Sequence, residues 1–213
     1  RNGKRAIRSI TDELARGGAA IVVMNQGLEL LQKAWGGVQK TMGLADELTS
    51  ANTRLALVND GMRTQAAWEQ QVLDTANRTR ATYKATADLV TKVGAGTQGV
   101  FKNNDQLLSF AERYNKTLAI SGATAVESEI AIQQMAQALG SGVLQGDELR
   151  SISEAAPVLM RILADGLGVA RGELKQMGSD GKLTADKIVQ AFEKQGKEID
   201  KMFEGMPMTF GGA

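Results

Sequence analysis

The chain has 213 residues, with 25 Lys and Arg against 24 Asp and Glu for a formal net charge of +1, and it contains neither His nor Cys. Without imidazole or thiol there is no Ser-His-Asp or Cys-His triad, no disulfide, and no zinc site built on those ligands. The near-neutral balance argues against a dedicated nucleic-acid binder, which carries a basic face.

Arg1, Lys4, Arg5 and Arg8 are a local exception, four cations at the start of the chain. They read as a solvated basic helix start, with phosphate contact as the alternative. From there Ile7, Ile10, Leu14, Ile21, Met24, Leu28, Leu31, Trp35, Val38 and Met42 recur in alternating steps of three and four, interrupted at Gly17. That spacing predicts a long amphipathic, coiled-coil-like helix with an apolar seam. The flanking positions Ala20, Gly27, Ala34, Asn25, Gln32 and Gln39 are small or uncharged where charged pairs would be expected, which widens the face. Gly17-Gly18 and Gly36-Gly37 predict bends, each Gly costing up to ~1 kcal/mol relative to Ala. The seam can pack on its own chain or on neighbouring copies, and its period does not separate the two.

No apolar run reaches the ~18 residues of a membrane span. Ala19 to Met24 is stopped by Asn25, Gln26 and Glu29, and no apolar core follows the first cations as a signal peptide requires. A start at Arg1 and an end in Gly-Gly-Ala lead us to expect an internal piece of a longer protein.

Beyond Gly43 the pattern shortens. Leu55-Ala56-Leu57-Val58 before Asn59-Asp60-Gly61 predicts a short extended stretch and a turn. A helix is expected from near Met62, with Met62, Ala66, Leu73 and Ala76 on one face and Trp68 and Val72 on the neighbouring stripe. Further helices are expected from about Ala81 to Val93, around Leu107, Ala111, Tyr114 and Leu118, and around Ile132, Met135, Ala136, Leu139 and Val143. Gly122 ends one of these, and Gly140 and Gly142 loosen the end of another. Asp147 to Ala156 and Pro157 to Asp165 predict a helical pair, Pro157 being tolerated in a first turn. After a turn at Gly178-Ser179-Asp180-Gly181, Thr184 is expected to cap a last helix with Ile188, Ala191, Phe192, Ile199 and Phe203 buried and Pro207 at its end. The fold class is therefore all-α: a helical stem over 1–43 followed by a helical globular domain over 44–213, a compact bundle of short helices.

Three motifs suggest chemistry and read better as structure. Gly94-Ala95-Gly96-Thr97-Gln98-Gly99 fits the dinucleotide pattern, but a helix rather than a strand precedes it, so a flexible helix–helix linker is expected. Ser179-Asp180-Gly181-Lys182-Leu183-Thr184 looks like a calcium loop, yet Lys187 stands where the bidentate glutamate belongs. The neighbouring acids Asp147 and Glu148, or Glu127 and Glu129, point to different sides of their helices. Two acids from separate elements could still meet at the separation glycan cleavage needs. The scattered Met24, Met62, Met135, Met160 and Met177 read as gap fillers between helices. No catalytic residue, cofactor-binding residue or metal ligand is assigned.

One stretch carries a resemblance. G-V-L-Q-G-D-E-L-R-S-I-S-E-A-A-P-V-L-M from Gly142, G-E-L-K-Q-M-G-S-D-G-K-L-T-A-D-K-I-V-Q-A-F from Gly172 and F-E-G-M-P-M-T-F from Phe203 resemble a segment of bacteriophage tail tape measure proteins. The likeness is clearest over Thr117 to Phe210. It implies a non-enzymatic structural part of the virion tail, assembled in the host cytoplasm and housed in the tube lumen. Its implied roles are setting tail length and later helping DNA pass into the host. It also implies tail tube protein, tail assembly chaperones and tail-tip proteins as partners, and association with copies of itself. No specific nucleic-acid binding is expected, and membrane contact only during infection. Abundant Gly, 24 residues, makes the middle look like a globular interruption rather than a continuous rod. The alternatives are a cell-wall-degrading domain, since some long tape measure proteins carry one, and a membrane-inserting segment over Gly17 to Trp35.

Overall fold

Thr64, Thr82, Asn103 and Thr124 start four helices in the same way. Each sits in extended backbone, and its side-chain oxygen accepts the amide of Ala67, Ala85, Gln106 or Glu127, three residues on. Those bonds satisfy donors that a helix start leaves unpaired. The computed structural model describes residues 48–97 and 99–207, and the described residues are helical, without a strand. The expected stem and its seam lie outside them.

Helix α1 covers residues 48–56. It is followed by α2 (Gln65–Thr79), α3 (Tyr83–Gly96), α4 (Asn104–Ile120) and α5 (Ala125–Ser141). Five shorter helices complete the described chain: α6 (Gly146–Ala155), α7 (Pro157–Leu167), α8 (Arg171–Ser179), α9 (Ala185–Lys194) and α10 (Gly196–Glu204).

The expected extended stretch at Leu55 to Val58 is instead the last two residues of α1, Leu55 and Ala56, and a turn at Leu57 and Val58. Ala51 and Leu55, one turn apart, are both buried, and the Trp68 indole donates to the Leu55 carbonyl at 3.1 Å. Helical spacing against a core outweighs the strand preference of four apolar residues. The next helix begins at Thr64 rather than near Met62, because Asn59 and Asp60 use the intervening amides. Gly61 N–H bonds the Asn59 side chain at 3.1 Å and Met62 N–H the Asp60 carboxylate at 3.0 Å. Trp68, Val72, Leu73 and Ala76 face the core, while Met62 and Ala66 are exposed.

Helix α1 runs alongside α3 in the same direction. Tyr83 donates to the Asn52 side chain at 2.6 Å and Arg54 pairs with Asp88 at 2.9 Å, while Val58 reaches the end of α3, its Cβ only 3.2 Å from where a Gly94 side chain would begin. Its outer face, Ser50, Thr53, Ala56 and Leu57, is exposed.

Helix α4 is central. Its expected stripe Leu107, Ala111, Tyr114 and Leu118 is buried, together with Phe110. Phe110 stacks on Tyr114, both meet Phe192 of α9, and Phe101 closes the cluster, with ring centroids 5.0–5.8 Å apart. Ring pairs at these separations add to plain burial. Asn115, on the other side of α4, is buried and donates to Thr86 at 3.0 Å, so the polar atom in the core is paired.

The expected last helix is two. Gln195 separates α9 from α10, and Gly196 takes the junction because a Cβ there would stand 2.7 Å from the Arg113 guanidinium. The break lets Phe192 enter the aromatic cluster while Ile199 and Phe203 lie against α4. Thr184 occupies the cap position of α9, but its hydroxyl makes no capping bond. The residues around it are instead tied to the end of α5: Leu144 N–H donates to Leu183 at 2.8 Å and Ala185 N–H to Gly142 at 2.9 Å.

Candidate functional site

With His and Cys absent, the carboxylates are the first candidates for chemistry, and their surroundings decide how they are used. Glu127 accepts the Thr124 amide at 2.8 Å and its hydroxyl at 2.7 Å, closing a capping box at the start of α5. The backbone bond from Thr124, then its hydroxyl, hold this carboxyl below its ordinary value. Glu148 accepts the Gln145 amide at 2.8 Å and does the same for α6. Both satisfy helix-start donors. The sequence-flagged acids therefore stand at two separate helix starts, with Glu129 and Asp147 exposed beside them.

A polar depression of about 410 Å³ lies between α2 and α4, lined by Asp74, Arg78, Asp105 and Glu112 among others. Each acid in it is already engaged. Asp74 accepts from Gln70 at 2.9 Å, and Asp105 pairs with Arg63 at 2.9 Å. Glu112 pairs with Arg78 and Lys116, both at 2.8 Å. Burial pushes the Glu112 carboxyl up, but the bonds from Arg78 and Lys116 outweigh it and hold it below the ordinary value. A general acid for glycan cleavage needs the opposite shift. Lys116 continues the chain of charges to Asp200 at 2.6 Å, fastening α10 onto α4.

The two glycine motifs are also structural. Gly94 and Gly96 are part of α3, and they serve close packing rather than a flexible link. A Cβ on Gly94 would meet Leu107 at 2.9 Å, and one on Gly140 would meet the Gly96 carbonyl at 3.2 Å. Helices α3 and α5 thus cross backbone to backbone. In the loop that looks like a calcium site, Asp180 accepts from Lys182 at 2.9 Å and Gln176 at 2.7 Å, and Lys187 bonds the Lys182 carbonyl at 3.0 Å. No group of three or more acids is placed to hold a metal among the described residues.

Large apolar side chains stand exposed at two places on the described surface. Leu57 and Met62 are 79% and 82% exposed at one end of the bundle, and Val126 and Ile130, one turn apart on α5, are 67% and 43% exposed. From Ile130 to Gly146 the chain carries no charge, and Gln133 and Gln137 extend the outer face of α5. Large exposed apolar side chains that cluster mark contact surfaces.

A family model for the tape measure protein matches residues 39–213. The chain belongs to the tape measure protein family. Tape measure proteins are structural parts of the phage tail and not an enzyme family, so this segment is a structural component of the tail. Neither the curated proteins nor the solved structures compared with the chain yielded a match. The match reaches back to Gln39 and so takes in only the last of the seam positions, Met42; Ile7, Ile10, Leu14, Ile21, Met24, Leu28, Leu31, Trp35 and Val38 precede it. All ten lie outside the described residues. No helix among the described residues of this tape measure segment is long and apolar enough to cross a membrane.

Sequence reasoning passed over the charge relay Arg78–Glu112–Lys116–Asp200. Its one legible signal is Glu112 and Lys116 four apart on a helix. The pairings to Arg78 and Asp200 bridge separations of 34 and 84 residues, which no local pattern encodes.

Proposed function

We propose that this segment is a folded, non-enzymatic block of the tail tape measure protein. It acts in tail length determination and tail assembly through helix-mediated contacts with protein neighbours. The observation that carries this reading is the family match over a segment whose described helices run 9–17 residues, bundled around one core. A ruler measures with continuous helix at 1.5 Å per residue. A bundle of short helices instead provides bulk and surface.

On this reading the exposed apolar side chains Leu57, Met62, Val126 and Ile130, with the seam Ile7 to Met42, receive copies of the chain, tail tube protein, assembly chaperones and tail-tip proteins. The block resides in the tube lumen after assembly in the host cytoplasm. It leaves with the rest of the protein when DNA passes into the host.

Deleting residues 48–207 in frame from the full-length protein tests this by tail length in electron micrographs. As continuous helix, about 160 residues measure ~240 Å. As a folded body they span ~40 Å, from the size scaling of compact domains. Tails shortened by about 40 Å or less, or failure to initiate tails, agree with a docking block. Shortening by about 240 Å would make the segment part of the ruler itself.

A further inference from the structure

Helices α9 and α10 share the pattern of one helix and fold as two. On a single helix Ile188, Phe192, Ile199 and Phe203 fall within about 60° of one another, one apolar stripe. The structure bends that stripe at one residue. Gln195 has φ −87° and ψ 1°, and a turn of ψ by about 40° would make it helical. Helical bonds stand on both sides of the bend. Gln195 N–H donates to the Ala191 carbonyl at 3.0 Å, and Ile199 N–H to the Gln195 carbonyl at 2.9 Å.

The contacts that keep α10 bent differ in kind from those that hold α9. Helix α9 buries Ile188, Val189 and Phe192 and has its Ala191 backbone against Gly166. Helix α10 buries two large side chains, Ile199 and Phe203, and charge supplies the rest. Arg80 and Lys116 stand over the Phe203 ring, 4.7 and 5.8 Å from its centroid. Lys116 also pairs with Asp200 at 2.6 Å, but 47% of the Asp200 side chain stays exposed, so solvent screens the pair. Arg113 lies against Gly196, and Arg161 meets the Met202 sulfur. Cations from the end of α2, from α4 and from α7 thus form a cradle for one short helix.

We propose that α10 is a hinged strap, which swings out of this cradle about Gln195 and Gly196 and continues α9 as a single helix. The straight form runs from Ala185 to Glu204 and is ~30 Å long. It carries Ile199 and Phe203 off α4 and opens the cradle of Arg80, Arg113, Lys116 and Arg161. Hinges of this kind are a few residues at element ends that absorb the dihedral change. Gly196 sets the balance between the two forms. An Ala there favours continuous helix, and its Cβ would stand 2.7 Å from the Arg113 guanidinium, which must then leave the cradle.

Spin labels at Asn77→Cys and Glu204→Cys report the hinge, since a chain without native Cys is labelled only there. Both positions are exposed, and the contact of Arg80 with Phe203 brings them together in the bent form. Pulsed electron resonance on the 213-residue chain should give one short distance. Adding Gly196→Ala and Asp200→Asn, each expected to raise the straight population about fivefold, should bring in a second distance. It should be ~10 Å longer, the travel of a helix of this length turning through ~40°. Far-ultraviolet circular dichroism should not change, because the released residues stay helical. A single short distance in the substituted chain would overturn the strap. So would a longer distance with lost helicity, which means that α10 melts instead of straightening. Hydrogen exchange on the parent chain needs no substitution: residues 196–204 should open ahead of 185–194. One common rate for both segments would show that α10 does not move apart from α9, and the proposal would fall.

Discussion

Gly166 of α7 lies directly against the backbone of Ala191 in α9: a Cβ on Gly166 would stand 2.6 Å from the Ala191 carbonyl oxygen and 2.7 Å from its Cα. Backbone atoms cannot swing aside as a side-chain tip can, so the two helices would have to separate. Gly166→Ala is expected to cost about 2–3 kcal/mol, despite the ~1 kcal/mol that Ala gains over Gly in a helix. Gly172→Ala in α8, where the added Cβ meets nothing within 4 Å, should stabilise by about 0.5–1 kcal/mol. Denaturant midpoints of the two variants check the pair; equal midpoints would show that α7 and α9 are not in close contact.

Both tyrosines of the chain are held in their neutral form. Burial pushes the Tyr114 hydroxyl well above its ordinary 10.0, and burial with the nearby Glu69 raises Tyr83 in the same direction. Each donates a hydrogen bond, Tyr114 to the Ala131 carbonyl at 2.7 Å and Tyr83 to Asn52 at 2.6 Å. With folded values above unfolded ones, the stabilisation is complete below pH ~10 and is lost as pH rises beyond it. Tyrosinate absorbance is expected to stay flat through pH 10 to 11 and to rise together with loss of helical circular dichroism. Ionisation of either ring in the folded protein would contradict this.

Glu112 gives the acid limb. Its folded carboxyl is depressed below 4.5, so its contribution is present above that value and fades as pH falls through the folded value. Glu112→Gln should cost about 1 kcal/mol at neutral pH, toward the low end for a charged hydrogen-bonded pair because the site is partly solvated. The loss should shrink in high salt. Urea melts at pH 7 and pH 3 measure it: the difference between the variant and the parent should narrow at the lower pH.

Trp68 is the pin that holds α1. Its indole fills the space under Leu55 and donates to that residue's carbonyl at 3.1 Å. Trp68→Phe keeps an aromatic ring but removes the donor and part of the volume, for a cost of about 1–2 kcal/mol. Hydrogen exchange should accelerate most over residues 48–56. Uniform acceleration along the chain would mean that α1 is not separately anchored.

The helices that were legible in advance are those whose apolar spacing is regular over three or more turns. Leu107, Ala111, Tyr114 and Leu118 announced α4, and Pro157 and Gly122 announced boundaries, because periodicity and local backbone preference are short-range properties. Misreadings fell where local signals compete. Four consecutive apolar residues, 55–58, read as strand until Trp68 supplied a partner for one face. Met62 read as helix until the side chains of Asn59 and Asp60 took the amides around it.

The same division runs through the candidate site. The acids Glu127 and Glu148 are capping-box residues three positions from their caps, a pattern visible in one dimension. The glycines at 94, 96 and 140 are not: alone they suggest looseness, and their closeness exists only because α3 and α5 cross. Composition and spacing by themselves led to the all-α reading that the described residues bear out and removed His and Cys chemistry, while the resemblance over the C-terminal half is what the family match extends to residue 39. Tertiary structure alone decided which stripe of α2 is buried, where the last helix breaks, and that Lys116 joins Glu112 to Asp200. Those outcomes depend on contacts between residues far apart in sequence, and a local pattern carries no record of which distant face will arrive.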